Sequence, residues 1–350
     1  MSDLHALIRA CKAEPEDDAP RLILADWLDE HGEEERATFI RRQIREPSLN
    51  AEQLLPKSEW MGAWKLLADE WAREYKDWPY PIQFRRGFMR ILDPYRELYD
   101  NLDRILRPPF DWMWVEEIRF GSWHDGDWTP LIESQNLLQL TSLAFDDDHY
   151  ESKLLLPLSQ CPYLSNLRSF WTLMVRQGDE GLERMSENLS LKNLRSLSIE
   201  FSNISRKGIQ AFVNSSVWDR VTRCSFRVNQ MNDSALDELT RGRVKAELQI
   251  LDICHGQYTD AGLVKLSRSD RFPSLRELHV GFSVHPGKDS PTFGALGIES
   301  LLFSTQLGFQ SLIVSINSDR SLSPEIERLA EQFPKRLSVN YLDTRVEIGL

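Results

Sequence analysis

Cysteine is scarce in this chain: 350 residues contain four, Cys11, Cys161, Cys224 and Cys254. None stands in a CxxC pair, and four dispersed thiols do not make a disulfide framework, so free thiols in a reducing compartment are expected. No apolar run approaches the roughly 18 residues needed to cross a bilayer. The N-terminus, MSDLHALIRACKAEPEDD, starts acidic and lacks a long apolar core, which argues against a secretory signal. A cytoplasmic protein without membrane contact is the expectation. Positive charge is not in excess either: 42 Lys and Arg stand against 54 Asp and Glu, a net −12. Divided at residue 83, the balance is 11 against 18 and then 31 against 36. Neither part carries the broad basic footprint of a general nucleic-acid binder. Catalytic signatures are also missing. The chain has no P-loop, no GxGxxG after a strand, no HExxH, no EF-hand loop and no GxSxG elbow. It is read as a non-enzyme with no cofactor, metal or catalytic residue.

What the chain does have is a repeat. With other apolar residues allowed, the middle position of an LxxLxL pattern falls at Ile91, Ile118, Leu143, Phe170, Leu197, Cys224, Leu251, Leu278, Leu312 and Leu337. The steps between these marks are 27, 25, 27, 27, 27, 27, 27, 34 and 25 residues. Twelve residues after a mark come Leu155, Leu182, Ile209, Leu236 and Leu263, and fifteen after come Leu158, Met185, Phe212, Leu239 and Leu266. A spacing of three is one face of a helix. Each unit is therefore a strand, a turn and a helix, and stacked units share one core. The period lies in the leucine-rich-repeat range. The segments MNDSALDELT and YTDAGLVKLS resemble the ribonuclease-inhibitor-like class. Five residues after the mark, where such repeats favour asparagine, stand Asn229 and Asn317, but elsewhere Asp148, Ser202 or Gly256. The one long step contains SVHPGKDSPTFG, which reads as an inserted loop around His285–Phe293.

The first 46 residues read as three short helices. Ser2 caps the first, Pro20 opens the second, Gly32 ends it, and the third carries Phe39, Ile40 and Ile44. Trp27 is expected in their core with Leu7, Phe39 and Ile40. The segment PEDDAPRLILADWLDEHGEEERATFIRRQ resembles the bacterial repeat-companion domain, a module that accompanies leucine-rich or other repeats. The matching residues include Asp18, Arg21, Asp26, Trp27, Gly32, Arg36, Phe39 and Gln43, and RRGFM at Arg85–Met89 resembles the entry into the repeats of that family. Arg45-Glu46-Pro47 departs from the pattern by ending the third helix early. The resemblance implies an architecture, not an activity. Trp60, Trp64, Leu67 and Trp71 form one stripe of a further helix, expected to cap the first repeat.

The fold class expected is thus α/β: a leucine-rich-repeat solenoid, with a curved parallel sheet and outer helices, preceded by a small all-helical module. The division is 1–48 for the module, 49–83 for a helical linker or cap, and 84–350 for nine to ten repeats. The register predicts the side chains of the concave sheet face. One outward row runs Arg119, Ala144, Trp171, Ser198, Ser225, Asp252, His279 and Ile313, flanked by Arg223 and Glu277 on one side and Glu200, Arg227 and Cys254 on the other. Ser225, Asp252 and His279 have the composition of a hydrolase triad in the wrong order, because histidine must stand between serine and acid. Asp252, Cys254 and His279 are possible metal ligands that lack motif spacing. Mixed charge with one large aromatic suits protein recognition. The expected partner is a protein, bound by Trp171, Arg223, Arg227, Asp252, His279, Glu200 and Glu277. Nucleic acid remains an alternative, resting on Arg41, Arg42, Arg45, Arg85 and Arg86; an unrecognised enzyme is the second alternative.

Overall fold

A computed structural model describes residues 3–46, 82–92, 106, 111–121, 127–146, 154–175, 177–245, 247–282, 293–317 and 323–342. The tryptophan stripe from Trp60 to Trp71, and all but the last residue of the inserted loop, lie outside the described residues. The chain divides into two compact units, the first comprising residues 1–121 and 133–144, the second 122–132 and 145–350.

The first unit opens with α1 (Asp3–Ala13), α2 (Ala19–Glu30) and α3 (Glu34–Arg45), each packed on the next. Pro20 lies in the first turn of α2, where its missing N–H costs nothing. Beyond its end, Gly32 takes φ +81°, and the amides of Gly32 and Glu33 return to Asp29 O and Leu28 O. Ile8, Cys11, Leu24, Ala25, Leu28, Ala37 and Ile40 form the fully buried core. Trp27 is not among them. It is half-buried and stacks on His31, with ring centroids 3.7 Å apart. Leu24 and Leu28, four apart, define the inward stripe of α2, and Trp27 falls to its side. Trp27→Ala is therefore expected to cost under about 1.5 kcal/mol, whereas Leu28→Ala should cost about 2–5 kcal/mol. Urea unfolding of the two variants checks the order.

The unit continues with β1 (Ile82–Arg85) and β2 (Phe88–Leu92), an antiparallel hairpin in which Arg85 faces Phe88. Its two-residue turn has positive φ at both positions, Arg86 (+50°) and Gly87 (+90°), as a type I′ turn requires. At Gly87 a Cβ would also stand 2.4 Å from the Ile40 side chain. Gln43 clamps this turn: its Nε2 donates to Phe84 O (2.8 Å) and its Oε1 accepts from Gly87 N (2.7 Å). β2 then pairs in parallel with β3 (Val115–Phe120), with Ile91 opposite Ile118. Arg21, 1% exposed, joins these pieces. It donates to Cys11 O (3.1 Å), to Arg86 O (3.2 Å) and to Glu116 Oε1 (3.2 Å).

Lys12 is buried beside that pair, its Nζ donating to Val115 O (2.8 Å) and Gln139 O (2.7 Å). Burial lowers its pKa to about 7, against the pull of Glu116. Burial likewise raises the Glu116 carboxyl, with Arg21 opposing. Between about pH 7 and 10.5 the unfolded chain holds a proton on Lys12 that the folded chain does not. Lys12 thus makes stability rise with pH in this window, by at most about 1.4 kcal/mol per pH unit. Above pH 9 the thiols act in the opposite sense, since burial pushes Cys11 up to about 11. The expected result is a rise in stability from pH 7 to 8.5 whose slope Lys12→Met reduces, followed in denaturant titrations at stepped pH. An unchanged slope would assign the rise to other groups.

The second unit begins with α4 (Thr129–Ile132), and β4 (Ser142–Asp146) is shared between the two units. Then come α5 (Leu155–Ser159), β5 (Ser169–Leu173), α6 (Gly178–Glu187), β6 (Ser196–Glu200), α7 (Arg206–Val213), β7 (Arg223–Ser225), α8 (Asp233–Arg241), β8 (Ile250–Asp252), α9 (Asp260–Ser267), β9 (Glu277–Gly281), α10 (Ala295–Leu302), β10 (Ser311–Asn317), α11 (Pro324–Gln332) and β11 (Leu337–Leu342). From β5 to β11 every strand is parallel to its predecessor in one sheet. The ladder Phe170–Leu197–Cys224–Leu251–Leu278–Leu312–Leu337 is the series of sequence marks, residue for residue. It stays in register across the 34-residue step. The marks are buried together with Leu182, Ile209, Leu236 and Leu263, so the helices cover one sheet face. This is a leucine-rich-repeat fold.

The turns repeat as well. Met174, Phe201, Val228 and His255, each four residues past a mark, all take positive φ. Asn229 serves the turn of the unit before it. Its Oδ1 accepts from Ser202 N (3.0 Å) and Ile204 N (2.9 Å), and its Nδ2 donates to Ile199 O (2.7 Å). One unit earlier Ser202 does part of this work, accepting from Val175 N (3.2 Å). A second device links helix starts. Asp179 accepts from Ser205 N (2.7 Å), Ser205 Oγ (2.6 Å) and Gly208 N (2.9 Å) of the next unit. Asp233 accepts from the amide and hydroxyl of Thr259, and Asp260 from Gly294 N and Gly297 N.

Candidate functional site

The sheet face of the second unit opposite its described helices carries the row Trp171–Ser198–Ser225–Asp252–His279–Ile313, each residue opposite the next on the adjacent strand. It alternates with buried residues along each strand: Phe170 and Thr172 flank Trp171, and Leu278 and Val280 flank His279. The side chains of this face gather in two clusters.

The first cluster centres on Glu200. Its Oε1 accepts from Ser198 Oγ (2.6 Å), Trp171 Nε1 (3.3 Å) and Ser225 Oγ (3.3 Å). Burial pushes the Glu200 carboxyl above its ordinary pKa, with the Ser198 bond and Arg227 pulling it back. Trp171 is half-buried and anchored through its indole N–H. The second cluster centres on Asp252, which is 8% exposed. Its Oδ1 accepts from Cys254 N (2.9 Å), and its Oδ2 lies 3.3 Å from Arg227 Nη2 and 3.6 Å from His279 Nδ1. The other ring nitrogen of His279 bonds Glu277. Cys254 is fully buried, and burial raises its thiol pKa well above the ordinary value. Arg223 stands exposed between the clusters.

The seven residues expected on this face are thus all present on it, but their pairing was not legible. Arg227 is held by Asp252, Trp171 by Glu200 and His279 by Glu277, whereas Arg223 stands exposed. Ser225 donates to Glu200 rather than to His279, and Asp252 stands between serine and histidine, so no triad relay is assembled. Sequence reading also missed the buried ionic group Lys12–Arg21–Glu116 of the first unit. Its local signals were charges set among apolar residues, at Arg21 in APRLIL and at Glu116 in WMWVEEI.

In the first unit four of the five arginines cited for nucleic acid, Arg41, Arg42, Arg85 and Arg86, lie against carboxylates. Arg41 bridges Asp26 and Asp29 at 2.6 Å each, and Arg42 lies 3.7 Å from Glu46. Arg85 bonds Glu16 at 3.0 Å, and Arg86 reaches Asp18. No described helix is long and apolar enough to cross a membrane.

No protein-family model and no curated protein matches the chain. Among solved structures, an internalin from Listeria monocytogenes is similar at 16% identity and TM-score 0.33, over 66% of this chain and 69% of that one. The complex of Rad7 and Elc1 from yeast is similar at 13% identity and TM-score 0.34, over 98% and 94%.

Proposed function

We propose that the protein is a non-catalytic interaction scaffold that binds a protein partner on the face of its repeat sheet opposite the described helices. The observation that carries this reading is the unbroken outward row from Trp171 to His279 across five consecutive strands, flanked by Glu200, Arg227 and Glu277, which hold Trp171, Asp252 and His279 in place. A surface of alternating sign that is already ordered loses little side-chain freedom on association. Trp171 and Arg223 supply the residue types that dominate binding energy at interfaces. The helical module, which resembles a repeat-companion domain, is read as a second docking element in a cytoplasmic, bacterial protein.

The double variant Trp171→Ala, Arg223→Glu tests it. Arg223 is exposed and Trp171 lies on the outward side, so the fold should survive. A partner captured by photo-crosslinking from position 198 is then titrated with wild type and variant, with circular dichroism as the folding control. The expected loss is at least about 2 kcal/mol, roughly 30-fold in affinity. A folded variant that binds within twofold of wild type would move the interface off this face.

A further inference from the structure

Asp252, Cys254 and His279 each present one ligand atom, and these atoms all lie within 4.8 Å of one another. Short-range motif spacing does not relate them, but a repeat sheet replaces it with another rule. Residues 27 apart are neighbours here, and Asp252 and His279 are opposite each other on β8 and β9. Cys254 follows two residues after Asp252 on the same side of the chain. We propose that these three side chains form a binding site for a thiophilic divalent transition metal of the zinc class, through one oxygen, one sulfur and one nitrogen.

Four further observations fit. First, the separation of His279 Nδ1 and Asp252 Oδ2, 3.6 Å, is longer than a good hydrogen bond. It is close to the edge of a tetrahedron whose arms are about 2.0–2.2 Å. Second, the remaining nitrogen, Nε2, is held by the Glu277 carboxylate. A carboxylate behind a histidine is how metal-binding imidazoles are oriented, and it leaves Nδ1 as the lone-pair donor. Third, the Asp252 carboxylate is itself oriented by the Cys254 amide (2.9 Å). Fourth, the thiol is fully buried while His279 is partly exposed, so the site has a dry floor and an open side. Loading costs one thiol proton, which passes to solvent as sulfur binds; thiolate and carboxylate then balance the dication. Arg227, on the same Asp252 oxygen at 3.3 Å, is the competing cation. The fourth coordination position faces the open side and takes water.

Cobalt(II) is the probe, because its spectrum reports both sulfur ligation and tetrahedral geometry. The full chain is dialysed against chelator and titrated with cobalt(II), then with zinc(II). The expected result is a thiolate-to-cobalt charge-transfer band saturating at one equivalent and bleached by zinc. Cys254→Ser, nearly isosteric, should lack the band. His279→Ala, a change at a partly exposed position, should not saturate where wild type does. Glu277→Gln should weaken binding by about 10-fold. Circular dichroism keeps folding under watch, and His279→Ala decides the matter if Cys254→Ser fails to fold. Absence of the band in wild type, its survival in folded Cys254→Ser, or its saturation at one equivalent in folded His279→Ala, overturns the site.

Discussion

Arg21→Ala is expected to destabilise the first unit by about 3–5 kcal/mol, the loss typical of breaking one side of a buried ion pair. The substitution leaves Glu116, 7% exposed, without the guanidinium 3.2 Å away, and leaves Cys11 O and Arg86 O without their donor. It also removes the contact with the Phe88 ring, whose centroid lies 5.1 Å from the Arg21 guanidinium carbon. The measurement is urea unfolding followed by the fluorescence of buried Trp112 and Trp114. The companion variant is Arg21→Met with Glu116→Leu. Removing both charges avoids an orphaned carboxylate, so the double variant should recover a large part of the loss. A single-variant cost below about 1 kcal/mol would mean that the helices hold to the hairpin through apolar contacts alone. Equal losses in the single and double variants would assign the effect to the carbonyl bonds.

The cost of Gly208→Ala is expected to depend strongly on its background. In an ordinary helix this exchange stabilises by about 0.5–1 kcal/mol. Here the added Cβ would stand 2.4 Å from Asp179 Oδ1, a carboxylate already held by three hydrogen bonds from the next unit. The single variant should therefore lose about 1–3 kcal/mol. Asp179→Ala alone should lose about 2–3 kcal/mol, by stripping charged acceptors from two amides and a hydroxyl. With Asp179 replaced by alanine the 2.4 Å carboxylate clash is gone and only the backbone Cα of residue 179, 3.0 Å from the added Cβ, still crowds it, so Gly208→Ala should then cost much less than in the wild-type background. Denaturant midpoints of the four proteins measure the coupling; additive effects would exclude the device. The chain contains its own control. One repeat on from Asp179 stands Arg206, which pairs with Glu238 at 2.7 Å, and the glycine position of the following helix is Ala235. Where the acid returns, at Asp233 and Asp260, so do Gly262 and Gly297, with Cβ clearances of 2.3 and 2.6 Å.

The repeat ladder was readable because one apolar position per unit recurs at a fixed period, and parallel stacking converts period directly into register. Even the long step was absorbed, with Leu278 opposite Leu312. The hairpin strand β1 was not found, since IQFR is too short to repeat anything, although Arg86-Gly87 carried the turn signal. Trp27 was misplaced because an aromatic between two inward leucines looks inward until the helical angle is counted. The Asp–Gly coupling joins residues 29 apart, Asp179 with Gly208, and no single column of the repeat displays it. On the candidate face the positions were legible and the pairings were not. Alternation along a strand says which way Arg227 points, but only geometry says that Asp252 receives it.

The uninterrupted pairing of β9 with β10 gives the connection between them a particular freedom. Because Leu278 and Leu312 meet as though the intervening step were of ordinary length, the flanking strands do not measure how much chain runs between them. Loop-closure entropy grows only logarithmically with length, so lengthening this stretch is cheap for the array. It is the natural insertion point for a reporter peptide or epitope, a port through which the array can be labelled while the rows of its candidate face stay in place.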